Sequence, residues 1–164
     1  MGRIYVDQSL KNVRSEEFVT KREPTLLGHN TLGLPQAPYF ERAKPQYELD
    51  GGSGFINMQQ FCRGDGVTDD TACFQGTIDN FAGDSIIYID AGSYILTDTI
   101  YIPTYARIVG EAWAQLVATA SKFQDAKNPL PLFRVGNKGE RGTVEMQDLI
   151  FTSKGPTAGV VFVE

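Results

Sequence analysis

The sequence predicts an all-β protein, a parallel β-solenoid opened by one capping helix at its N-terminal end, and three observations predict it. Beyond Asp84, short runs rich in β-branched and aromatic residues follow one another with no helical period between them. Several end alike, as Ile108-Val109-Gly110 and Val135-Gly136 do, which points to equivalent corners in successive rungs, with glycine permitting the turn. Hairpin signals are nearly absent there, because the Asp-Gly pairs, Asp50-Gly51 and Asp65-Gly66, both precede the strand-rich region.

Composition sets the bounds. A chain of 164 residues with 41% hydrophobic and 21% charged residues has the profile of one globular domain. The formal net charge of −5 and an isoelectric point near 4.9 argue against a nucleic-acid partner, which needs a basic stripe to displace counterions. Neutral substrates fit better. No apolar run approaches the roughly 18 residues needed to span a bilayer, so no membrane partner is expected. Met1 to Asn12 lacks the apolar stretch of a secretory signal, which suggests either a cytosolic protein or a chain whose beginning lies upstream.

The elements follow in order. Residues 1–52 are polar and punctuated by Pro24, Pro35, Pro38 and Pro45, with no apolar period, and read as an extended arm ending in the Gly51-Gly52-Ser53-Gly54 joint. Such an arm must lie on something else, either the following domain or a partner outside this chain. Residues 53–164 form the predicted domain. Phe55 to Phe61 is a candidate strand. A helix is predicted at about 69–82, where Phe74, Ile78 and Phe81 recur on one face, and Gly83 stops it. Strands of three to five residues then follow around Ile86–Ile89, Tyr94–Leu96, Ile100–Ile102, Arg107–Val109, Leu116–Ala118, Leu132–Val135, Leu149–Phe151 and Val160–Val163. Since the first rung of a solenoid would expose its apolar interior, the helix is expected to cover it.

The stretch GDGVTDDTACFQ (64–75) crowds acids and glycines together. Asp65, Asp69 and Asp70 do not have the alternating ligand spacing of a calcium loop, so no metal is expected. With no GK[ST] ending it is no phosphate loop either, and no cofactor is implied. The positions suit a helix start, with Thr68 or Asp69 as N-cap and Asp70 in the first turn, a cap worth about 1 kcal/mol. His29, the only histidine, has no Ser or Cys motif with which to form a triad. Tyr94 and Tyr101 read as strand residues, while Glu145 and Asp148 flank a rung that could face a groove.

GDGVTDDTACFQ closely resembles the GDGVTDDTAAIQ signature that opens the pectate-lyase-like (pectin-lyase-like) superfamily of right-handed, single-stranded parallel β-helices. Asp90-Ala91-Gly92-Ser93-Tyr94, Ile102-Pro103 and Ile108-Val109-Gly110-Glu111 look like its next landmarks. Within that superfamily, residues 39–48 (YFERAKPQYE) and Val109-Gly110-Glu111-Ala112-Trp113 resemble the fungal exo-β-1,3-glucanases of glycoside hydrolase family 55. So do Asn128-Pro129-Leu130-Pro131, Asp148-Leu149-Ile150-Phe151 and Gly155-Pro156-Thr157-Ala158-Gly159.

The resemblance implies a secreted, extracellular hydrolase that cleaves β-1,3-glucan from a chain end with inversion, using two tandem β-helices. This segment would be the inter-domain connection and the first rungs of the second helix, its partners the missing first β-helix and the glucan. The general acid would lie past Glu164, so no catalytic residue maps onto the chain, which is expected to be inactive alone and uncapped at its C-terminal end. Glu111 and Trp113 are the candidate substrate-binding residues: an aromatic face suits the apolar side of a glucose ring and an acid binds its hydroxyls, although a corner tryptophan can also pack on the scaffold. Alternatives are a polysaccharide lyase or depolymerase on the same scaffold, or a non-catalytic carbohydrate-binding or structural remnant. Cys62 and Cys73 stand where the signature usually has alanine. They either form a bridge stabilising the cap by roughly 2 to 3 kcal/mol or remain two buried thiols, and the family's secreted setting favours the bridge.

Overall fold

The computed structural model describes the backbone of Gly2–Arg3 and Glu17–Phe18, and residues 43–164. Two compact units divide the chain, Met1–Pro45 and Gln46–Glu164. In the first, strand β1 (Gly2–Arg3) pairs antiparallel with β2 (Glu17–Phe18). His29 and the prolines at 24, 35 and 38 lie outside the described residues.

The second unit contains β3 (Phe55–Asn57), β4 (Asp65–Asp69), α1 (Thr71–Phe81), β5 (Ile86–Ile89), β6 (Gly92–Leu96), β7 (Ile100–Ile102), β8 (Arg107–Ala118), β9 (Leu130–Val135), β10 (Glu145–Ser153) and β11 (Val160–Val163). Every pairing among β3 to β11 is parallel. On a first face Phe55, Ile86, Arg107 and Glu145 stand in register; on a second, Ser93, Gln115 and Ile150; on a third, Ile100 and Phe133. The chain visits these faces in the same order on each turn, which explains why hairpin turns are missing from its sequence.

Side chains alternate between the two sides of each strand, so every second residue faces inward. Ile87 and Ile89 on β5, Tyr94 and Leu96 on β6, Ile100 and Ile102 on β7, and Leu116 on β8 are fully buried in one core. Aromatic rings run through it: Phe74 lies 5.9 Å from Tyr94 and 5.8 Å from Phe133, and Phe133 lies 5.3 Å from Phe151.

Four expectations need correction. The strand predicted over Phe55 to Phe61 stops at Asn57, whose side chain accepts the Gln59 N–H at 2.8 Å and starts a 3-10 turn at Met58–Gln60 that drives Met58 into the core. Arg107–Val109 and Leu116–Ala118 are two ends of one strand of 12 residues, and β9 and β10 likewise exceed the expected length. Gly136, at φ 68, turns the chain after β9 as expected, but Gly110 lies inside β8 for a different reason. A Cβ at Gly110 would stand 2.2 Å from the carbonyl oxygen of Asp148, so it allows close approach of the next rung.

The fourth correction concerns the acid-rich stretch. Asp65–Asp69 is strand β4, paired with β6, and α1 starts at Thr71. Asp69, expected as the N-cap, lies one residue before that position and accepts the Thr71 N–H at 3.0 Å. Asp70 occupies the N-cap position yet makes no cap bond; its carboxylate turns back to accept the N–H groups of Arg63 at 2.8 Å and Gly64 at 3.0 Å. Helix α1 buries Phe74, Thr77 and Ile78 and is followed by Gly83 at φ 98. Along β7, the Gln75 amide behaves as a neighbouring strand would, accepting the Tyr101 N–H at 2.8 Å and donating to its carbonyl at 3.1 Å. Cys62 and Cys73 form a disulfide across 5.5 Å between Cα atoms, joining the turn after β3 to α1.

Candidate functional site

The first place to look for chemistry is the acidic stretch, and its carboxylates are committed internally. Asp65 accepts the N–H groups of Val67 and Thr68 and the Thr68 hydroxyl, at 2.9, 2.7 and 2.8 Å. These bonds hold its carboxyl down at about 2, the backbone N–H of Thr68 contributing most. Asp69 accepts from Thr71 and, at 2.7 Å, from the Thr97 hydroxyl. Burial works against its ionisation, but these donors outweigh it and leave the carboxyl below its ordinary value. Asp70 lies with Cys62 and Cys73 in a cluster of metal-ligand residue types, but the two sulfurs are bonded to each other. Shallow recesses of about 330 and 430 Å³ flank the disulfide, one lined by Asp65 beside Arg63 and the other by Phe61, Gly76 and Phe81. Neither carries the pair of carboxylates that glycoside hydrolysis needs.

The second place is the corner between the first and second faces. Between their paired positions, β5 and β6 spend Asp90 and Ala91, whereas β8 spends Glu111, Ala112 and Trp113. Against the rung on the other side, a single residue, Asp148 at φ 58, faces Gly110 to Trp113. The corner of β8 is therefore wider than those of the rungs on either side and stands out as a ledge, with Glu111, Ala112 and Trp113 all exposed. Trp113 is 69% exposed. This settles its surroundings: the indole does not pack on the scaffold.

Polar bonds tie this corner to its neighbours. Glu111 Oε2 accepts the Ala91 N–H at 3.2 Å, Gln59 donates to the Ala91 carbonyl at 3.3 Å, and Asn57 donates to Asp90 at 2.8 Å. The Tyr88 hydroxyl is pushed up by burial and then by the Glu111 carboxylate beside it. Asn57, Gln59 and Tyr88 were not singled out in the sequence, because only corner position gives them a role. Glu145 and Asp148 sit on β10 but apart in function: Glu145 accepts the Tyr47 hydroxyl at 2.8 Å, and Asp148 forms the one-residue corner.

Residues 55–130, which include β3 to β8 and this corner, match the pectate lyase-like family of rhamnogalacturonase A and epimerase. A probable glucan endo-1,3-beta-glucosidase of Arthroderma benhamiae is 44% identical over 76% of the chain, and a glucan 1,3-beta-glucosidase of Cochliobolus carbonum 35% identical over 80%. Residues 55–130 belong to the pectate lyase-like family, and the chain is related to fungal glucan 1,3-β-glucosidases. Another relative, 42% identical over 89% of the chain, is a non-secreted LysM effector, LysM19, of Penicillium expansum. The chain spans 14%, 17% and 12% of the lengths of these relatives. Parallel pairing among β3, β4, β5, β6 and β8 is the architecture that the match over residues 55–130 leads one to expect, and Glu111 and Trp113 fall inside those residues.

Proposed function

We propose that these residues are part of an extracellular glycoside hydrolase that cleaves β-1,3-glucan from a chain end with inversion, and that its general acid lies outside them. In this reading residues 1–52 connect to a preceding β-helix domain, and residues 53–164 supply the cap and first rungs of a right-handed parallel β-helix. The observation that carries it is the alignment of glucan 1,3-β-glucosidases over most of the chain. Inversion needs an acid that protonates the glycosidic oxygen and a base that activates water on the opposite face, about 6.5 to 9.5 Å apart. The internal commitment of Asp65, Asp69 and Asp70 supports placing that pair elsewhere.

The disulfide supports an oxidising, extracellular setting. Among the described residues no helix is long and apolar enough to cross a membrane. The acidic net charge of −5 supports a partner that is a neutral polysaccharide rather than a nucleic acid.

The test is laminarin hydrolysis followed by NMR of the anomeric protons. The 164-residue chain is expected to release no glucose, and a longer protein containing it to release α-glucose. Glucose release by the chain itself would refute the placement of the acid, and β-glucose from the longer protein would refute inversion. Oligosaccharides of mixed length would replace the exo mode with an endo one. The pectate lyase-like part of the family description favours as second reading a lyase or depolymerase on this scaffold, which calcium-dependent formation of unsaturated sugars would reveal.

A further inference from the structure

The ledge at Glu111–Trp113 is costly for a domain that does not use it. An indole left 69% exposed forfeits burial that a corner as short as its neighbours would not have to forgo. The widening also gives the ring a step to stand over, because β10 turns the same corner with Asp148 alone. The exposed Glu111 is held in place beside it, with one carboxylate oxygen on the Ala91 N–H. An ionised carboxylate has about four acceptor sites, so capacity remains for further donors. The three stacked corners each carry an acid: Asp90, Glu111 and Asp148.

We infer that the ledge is a binding platform for a neutral glucan, with a glucose ring stacked on the Trp113 indole and its hydroxyls donating to Glu111. An aromatic face takes up the apolar C–H face of a pyranose, and a fixed acceptor orients the ring. The column of acids selects against polyuronates, whose carboxylates it repels. The inference rests on the glucan reading above, but it concerns binding, not turnover.

Trp113 is the only tryptophan, so its fluorescence reports on this site alone. Acrylamide quenching of the chain is measured with laminarin and with polygalacturonate. Laminarin is expected to shield the indole and polygalacturonate to leave quenching unchanged. Equal shielding by both, or no shielding by saturating laminarin, overturns the platform. Affinity electrophoresis in laminarin gels supplies the second arm. Trp113→Phe should retain most of the retardation, while Trp113→Ala and Glu111→Gln weaken binding about three- to tenfold, the range expected for one stacking contact or one charged hydrogen bond. Retardation unchanged in both weakened variants sinks the proposal. The two readings separate cleanly: shielding of the chain's indole with no sugar release by the longer protein keeps the platform, and sugar release by the longer protein with an unshielded indole removes the platform alone.

Discussion

Asp70 is 1% exposed, and its two carboxylate oxygens take the N–H groups of Arg63 and Gly64. The same segment is stitched to the next rung, because the Gly64 carbonyl accepts the Ser93 N–H at 2.8 Å. Gly64 sits at φ 60 with the Tyr94 ring 2.9 Å from where a Cβ would be, so no other residue fits. Asp70 is therefore the clasp that closes a turn of the chain against the core. Asp70→Ala orphans two N–H groups in part-buried bonds, and an unpaired donor shielded from water costs about 1 to 3 kcal/mol. The expected loss is about 2 to 4 kcal/mol in urea unfolding followed by far-UV circular dichroism, with an unchanged m-value. Asp70→Asn keeps one acceptor and is expected to lose about half as much. A loss under roughly 0.5 kcal/mol for Asp70→Ala, typical of a surface change, would show that the clasp is not needed.

At the scale of elements, α1 earns its place through its contact with β7 as much as through its buried face. β7 pairs with β9 on one side, and on its other side the Gln75 amide bonds both backbone groups of Tyr101. An open strand edge invites pairing with other chains, and a side-chain amide is one way to occupy it. Gln75→Leu keeps the volume and removes both bonds. It is expected to cost about 1 to 3 kcal/mol and to abolish the hydrogen-exchange protection of the Tyr101 amide. Continued protection of that amide would mean that something other than Gln75 holds the edge. The disulfide acts on the same helix from the other side, anchoring Cys73 to Cys62 across a separation of 11 residues. The chain-entropy relation gives about 3 kcal/mol for a loop of that size. Unfolding with and without reductant should differ by that amount, and Cys62→Ser combined with Cys73→Ser should unfold at the reduced midpoint. An oxidised chain no more stable than the reduced one would mean that the loop is already ordered without the bridge.

Over the whole molecule, what was legible in the sequence follows one physical division. Features set by neighbours along the chain could be read. The faces of α1 come from the spacing of Phe74, Ile78 and Phe81, and the strands at Ile86–Ile89 and Ile100–Ile102 from their β-branched runs. Features set by stacking between turns could not. Gly110 looked like a corner glycine, and only the carbonyl of Asp148, 38 residues on, reveals why it must be glycine. Asp70 looked like a helix residue until the fold brought Arg63 and Gly64 to it. The candidate site divides the same way: Glu111 and Trp113 were visible as residue types, but the ledge exists only because three successive corners have different lengths.

Contacts along the chain and contacts between turns together set how the molecule responds to pH. Asp65 is held at about 2 by the Thr68 and Val67 N–H groups, against an ordinary 3.8. Lys122 lowers Asp98, and Asn128 and Asn137 lower Asp125 and Glu140. A carboxyl depressed in the folded chain binds its proton more tightly in the unfolded one. Its stabilisation is thus complete above the unfolded value and is lost as pH falls through the folded one. Tyr47 and Tyr94 run the other way. Burial first, then Glu145 for Tyr47 and the acids Asp90 and Asp70 for Tyr94, pushes both from 10.0 up to about 12. Their contribution is complete below 10.0 and is lost as pH rises toward about 12. The urea midpoint is therefore expected to be level from about pH 5 to 9 and to fall on both sides. Asp65→Asn isolates one member: between pH 4 and 2 it should reduce proton uptake on unfolding by up to about one proton, leaving the alkaline limb untouched. An unchanged acid limb would show that the donors on Asp65 persist in the unfolded chain, since Val67 and Thr68 are close enough in sequence to reach it there.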